Sequence, residues 1–202
     1  METGARIALF AAACWFSTTA NAAYFIQASE IGGNVVFTGS GSLNLTALTP
    51  SSLIAPNTSF VYASGSSIIL GNLEATQLFS GILPPGNFGS GNFAGTTTTT
   101  GAQIGVLGTN LRAPLGYISG ASLGTSTATF ESSTLSSLGL AAGNYVWSWG
   151  QGASSDTLTL QIGDVSAVPE PEAWGMMLLG FGLIGGALRA QRRQTTIRVY
   201  YA

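Results

Sequence analysis

Histidine and lysine are absent from this 202-residue chain, and cysteine occurs once, at Cys14. Each absence closes a class of chemistry. Without His or Lys there is no Ser-His-Asp set, no Ser-Lys pair, no Schiff base and no histidine-held metal. Charge is also scarce, at 7% of residues. Between residues 23 and 167 the charges are Glu30, Glu74, Glu131, Asp156 and Asp164 against Arg112, which leaves a net −4. Nucleic acid needs a basic face to neutralise its phosphates, so it is excluded as a partner. Ser, Thr, Asn and Gly are left to solvate the surface.

The first residues have the form of an export leader. Arg6 supplies a thin positive region, Ile7 to Phe16 an apolar stretch, and Ala20-Asn21-Ala22 a small-x-small cleavage pattern. Residues 1–22 are expected to be a signal peptide, removed after Ala22 or Ala23. The apolar run is too short to span a bilayer comfortably. Cys14 lies inside it and is followed by Trp15 and Phe16, which does not suit lipoprotein acylation. Its removal leaves a chain with no thiol, disulfide or cysteine-bound metal.

The other end carries three consecutive features. In Val168-Pro169-Glu170-Pro171-Glu172-Ala173-Trp174 each proline ring fixes φ, removes an N–H and pushes the preceding residue into an extended conformation, so this stretch is expected to be accessible. Residues 173–188 contain no charge. As a helix they would be about 24 Å long, short but usable against a hydrocarbon core of about 30 Å. Arg189, Arg192 and Arg193 follow. Trp174 suits one interface and the arginine stems the other, with the basic end cytoplasmic and everything before Pro169 outside. Residues 194–202 are then a cytoplasmic tail extension.

Motif, apolar helix and basic cluster, in that order near the C-terminus, resemble the PEP-CTERM sorting signal of Gram-negative bacteria over residues 168–193. Trp174 and Met176-Met177-Leu178-Leu179-Gly180-Phe181-Gly182-Leu183-Ile184-Gly185-Gly186 match one subclass of it. The resemblance implies that exosortase, an inner-membrane transpeptidase, recognises Pro169, Glu170 and Pro171, cleaves near them and passes the protein to the cell surface or an extracellular matrix. Exosortase and inner-membrane lipid are then transient partners, with an exopolysaccharide or biofilm layer as the destination. Most such tails stop at the basic cluster, whereas this one continues to Ala202. Residues 35–41 and 138–150 resemble a β-rich ectodomain that recurs among PEP-CTERM proteins, and no defined activity or cofactor comes with it.

Residues 23–167 read as β throughout and suit one domain. Leu43, Leu45 and Ala47 alternate with Asn44 and Thr46, as in a strand with one apolar face. Short β-branched or aromatic runs at 35–37, 60–62, 68–70, 104–107 and 127–130 are separated by Gly, Pro, Ser and Asn, which is turn chemistry. Tyr145, Trp147 and Trp149 point one way, and Leu158, Leu160 and Ile162 do the same after a loop, predicting a closing hairpin. Residues 132–140 could form one helical turn. Residues 86–101 predict a long loop, although Thr96 to Thr100 also suits an edge strand. An antiparallel β-sandwich or jelly roll hides the apolar faces and is the expected fold, with a barrel second and a β-solenoid third.

Candidate chemistry in this domain is thin. Glu30, Glu74 and Glu131 could serve a glycosidase only if two of them converged, and surface solvation is the simpler role. Asp156 and Asp164 read as turn residues, since the dense acidic loop of a calcium site is missing. No catalytic, cofactor or metal residue is expected, and the protein is expected not to be an enzyme. The alternative to a matrix component is a carbohydrate-binding adhesin using Trp147 and Trp149 as a stacking platform. Against it, large aromatics dominate β-cores.

Overall fold

The computed structural model describes residues 23–163 and, nearer the C-terminus, Gly180, Phe181, Gly182, Ile184 and Arg189. The chain divides into two compact units, Met1–Val165 and Ser166–Ala202. The expected signal peptide, the motif at 168–174 and most of the expected membrane segment at 173–188 lie outside the described residues. Gly180, Phe181, Gly182, Ile184 and Arg189 are helical and exposed. Among the described residues no helix is long and apolar enough to cross a membrane.

In the first unit the described residues form thirteen strands in two sheets. Across the first sheet run β12 (Gly143–Trp149), β13 (Asp156–Ile162), β1 (Ala23–Ile31), β2 (Asn34–Ser42), β11 (Ser122–Phe130) and β8 (Thr98–Thr100). Across the second run β3 (Thr49–Ile54), β6 (Thr76–Ser80), β10 (Asn110–Pro114), β9 (Ile104–Leu107), β5 (Ser67–Leu70), β4 (Phe60–Tyr62) and β7 (Ala94–Gly95). This is the all-β sandwich expected from the alternating runs.

Period-two burial explains the packing. Tyr24, Ile26 and Ala28 of β1, Val35 and Phe37 of β2, and Leu158, Leu160 and Ile162 of β13 are fully buried while their neighbours face outward. They meet Val61, Ile68, Leu70, Ile104, Val106 and Leu111 of the second sheet in a single apolar cluster. Phe37 and Phe130 meet edge to face with ring centroids 5.6 Å apart, the geometry the ring quadrupole favours. The β1–β2 hairpin closes on Gly32-Gly33, with φ of +59° and +81°. A two-residue turn with positive φ at both positions follows the strand twist, and glycine adopts it without a Cβ penalty.

Two local readings change. The sheets are not wholly antiparallel, because β13 lies parallel to β1, pairing Ala23 with Thr157 and Ala28 with Ile162. Residues 43–48 are not a strand but the passage from the first sheet to the second. The Asn44 side chain accepts the Thr46 N–H in a local turn, and the Leu48 N–H bonds the Leu45 carbonyl, so alternation there is overruled. Residues 132–140 form the single helical turn expected, closed by the Leu138 N–H on the Thr134 carbonyl, and do not extend it into a longer helix. The side chains of Thr134 and Ser137 cap each other's N–H at its start. Short 3₁₀ turns occur at Ala63–Gly65 and Gly152–Ser154, where the apolar pattern gave no helical signal. The threonine run does supply an edge strand, β8.

Two glycines separate strain from overlap. Gly32 has open space around it, so Gly32→Ala is expected to cost only the left-handed backbone penalty, about 1–2 kcal/mol. At Gly71, where φ is +87°, a Cβ would overlap the Ala102 carbonyl as well. Chemical denaturation should therefore find Gly71→Ala clearly more destabilising than Gly32→Ala, and equal losses would contradict this packing.

Candidate functional site

The closing hairpin forms as expected, with Tyr145 opposite Leu160, Trp147 opposite Leu158 and Trp149 opposite Asp156. Its large rings are core. Trp147 is fully buried and Trp149 is 3% exposed, so no sugar ring can stack on either: they are core, and the alternative of a stacking platform on them falls. The cause is the shared inward parity of these strands, which packs Trp147 edge-on against Phe88 at 6.1 Å. Tyr145, half-buried, packs against the same Phe88 and donates its hydroxyl proton to the Ala141 carbonyl.

The hairpin instead grips backbone. The Trp149 indole N–H donates to the Asn44 carbonyl at 2.7 Å, and the Asp156 carboxylate accepts the Asn44 N–H at 2.6 Å. One peptide residue is thus held from both sides by a facing pair of side chains. Asp156 also accepts its neighbour Thr157's N–H at 2.7 Å. It is buried rather than a solvated turn residue, and its desolvation pushes the carboxyl above its ordinary value despite the two N–H bonds that pull the other way. The sequence held this signal, because Asp156 shares parity with the inward Leu158, Leu160 and Ile162. Asp164 lies outside the described residues.

Arg112, the lone cation of residues 23–167, is also fully buried. Its Nε donates to Thr76 Oγ1 at 2.6 Å and one terminal nitrogen to Gln103 Oε1 at 2.8 Å, while Nη1 has no partner among the described residues. Gln103 in turn donates its amide to the Asn57 carbonyl, and its backbone N–H goes to Glu74. Burial lowers the Arg112 pKa. The nearest polar contacts are neutral, and they tie β10, β6 and two connecting segments together.

The three glutamates take separate structural positions. Glu30 accepts the Leu135 N–H at 2.6 Å and pins the 132–140 segment. Glu74 accepts the Gln103 N–H, and Glu131 sits exposed just past the end of β11. A shallow groove beside Glu30 is lined by Gly89, Ser90, Leu135, Gly139 and Leu140, with Glu30 the only carboxylate among its described lining residues. Among the described residues no cluster of three His, Cys, Asp or Glu side chains could hold a metal.

The sorting residues Pro169, Glu170, Pro171 and Trp174, with Arg192 and Arg193, lie outside the described residues, and Arg189 is helical and exposed. Their sequence carries the clearest outside relation of the chain. Residues 167–193 match the family model described as the PEP-CTERM protein-sorting motif. The match agrees with the resemblance drawn from the residues and supports an exported protein sorted by exosortase. No curated protein and no solved structure matches the chain.

Two outcomes test the Asn44 grip. Trp149→Phe keeps the ring but leaves the Asn44 carbonyl without its donor, which should cost about 1–3 kcal/mol in urea denaturation. For Asp156, folding favours the protonated carboxyl more than the unfolded chain does. Its contribution is therefore fully present below the ordinary carboxylate range and is lost as pH rises through its raised folded value. Between neutrality and about pH 4 the melting temperature should rise or hold on acidification. A fall of the kind that broken ion pairs produce would contradict the burial of Asp156.

Proposed function

We propose that this protein is a non-catalytic component of the cell surface or extracellular matrix, released from the inner membrane by exosortase and resident in an exopolysaccharide or biofilm layer. The sorting motif at residues 167–193 carries the reading. The composition supports it, since a chain with no His or Lys offers few groups for acid, base or nucleophilic work. A sandwich whose polar side chains mostly bond backbone is suited to persist rather than to react. Pro169, Glu170 and Pro171 are the recognition element in this reading, and the arginines after residue 188 fix the orientation. A sugar-binding adhesin built on Trp147 and Trp149 lacks support, because neither ring is accessible.

The test is the intact mass of the protein from culture medium and from membranes, which reads both ends at once. The expected medium form lacks the leader and everything beyond a cut near Pro169. Replacing Pro169 and Pro171 by alanine, or deleting exosortase, should leave the uncut chain in the membrane fraction. Release of the same trimmed form from cells without exosortase would refute the assignment.

A further inference from the structure

The outer face of the first sheet carries amide and hydroxyl side chains in register across its strands. Its outward residues alternate with the buried set, and the strand registers set them in rows. Asn144, Gln161, Gln27, Thr38, Thr127 and Thr100 follow one another across all six strands. In the next row Phe25 stands between Thr159 and Ser40, 41% exposed. Neither row holds a charge. We propose that this face is a docking surface for a neutral, polyhydroxylated polysaccharide, with the Phe25 ring stacking on the C–H face of a sugar and Gln27, Thr38 and Gln161 exchanging hydrogen bonds with its hydroxyls.

Chemistry selects this partner over others. Amide and hydroxyl side chains each donate and accept, which matches a partner made of hydroxyls. A polyanion would find no cation here, and a basic partner no carboxylate. A protein interface needs an apolar, aromatic-rich centre, whereas these rows offer one aromatic ring, Phe25, and one exposed aliphatic side chain, Val146 beyond Thr159, among polar groups. Strands spaced about 4.8 Å apart set these groups at a regular spacing across the face. Thr127 and Thr100 already bond each other across the sheet at 2.8 Å. The proposal rests on the matrix reading above and gives it a molecular contact.

The mature protein recovered from cells is sedimented with three neutral glucans, cellulose, amylose and cross-linked dextran, and with alginate as the acidic comparison. Retention on at least one neutral glucan, insensitive to salt, is expected. Phe25→Ala should weaken it about tenfold, and Thr38→Glu should abolish it, with circular dichroism unchanged. Phe93→Ala removes an aromatic that is 64% exposed on the segment leading into β7 of the other sheet, and should leave retention intact. No retention on any neutral glucan, retention on alginate alone, or equal loss in Phe93→Ala would overturn the proposal. So would self-association that Thr38→Glu abolishes, which would mark the face as a contact between copies. Normal trimming without retention would sink this surface and leave the sorting reading standing, and retention without trimming would do the reverse.

Discussion

The chain passes between the sheets four times, before β3, β8, β9 and β11, and the sandwich depends on how the first and last of these passages are tied to each other. The first runs over residues 43–48, from β2 to β3, and the last over residues 115–121, from β10 to β11. The Leu43 N–H donates to the Tyr117 hydroxyl at 2.8 Å, the Gly120 N–H to the Leu43 carbonyl at 2.8 Å, and the Leu45 N–H to Ser119 Oγ at 2.9 Å. Trp149 and Asp156 take the two ends of the residue between, Asn44. Backbone leaving a sheet has no ladder to satisfy it, and a buried unpaired amide or carbonyl is expensive. Supplying those partners from the hairpin and from the other crossing sets where one sheet lies over its neighbour.

Neutral hydrogen bonds do here what ion pairs do in more charged domains. The buried guanidinium of Arg112 shows the same habit from the other side, since Thr76 and Gln103 surround it rather than a carboxylate. An acidic partner would repay more of the desolvation of that charge, yet Glu74 is spent on the Gln103 N–H. The surface is left with few carboxylates, and wide areas of it, the outer rows of the first sheet above all, are governed by hydroxyls and amides. Interactions of that kind are short-ranged and little affected by salt.

Period-two patterns were legible wherever a strand is buried on one side. The β12–β13 hairpin could be read residue by residue because Tyr145, Trp147 and Trp149 share parity with Leu158, Leu160 and Ile162 across it. Apolar alternation misled at Leu43, Leu45 and Ala47, where the Asn44 side chain bends the chain and long-range bonds hold it bent. Arg112 gave no warning of its burial, since the segments that cover it arrive from distant parts of the sequence. The parallel insertion of β13 beside β1 was equally hidden, because pairing between the ends of a domain is not encoded locally. The sorting motif was legible over residues 167–193, since its meaning lies in the order of its parts and needs no tertiary contact.

That parallel pair gives the domain a mechanical character. The chain enters the first sheet at one end through β1 and leaves it at the other through β13, with Ala23 beside Thr157 and Ala28 beside Ile162. Tension applied between the two ends would drag these neighbouring strands past one another. The bonds of the ladder would then carry the load together, in shear, where a hairpin pulled from its open end would unzip them singly. Rupture under force is governed by the unfolding barrier rather than by equilibrium stability. A fold stitched in this way resists tension between its two ends better than one whose terminal strands could be peeled apart bond by bond.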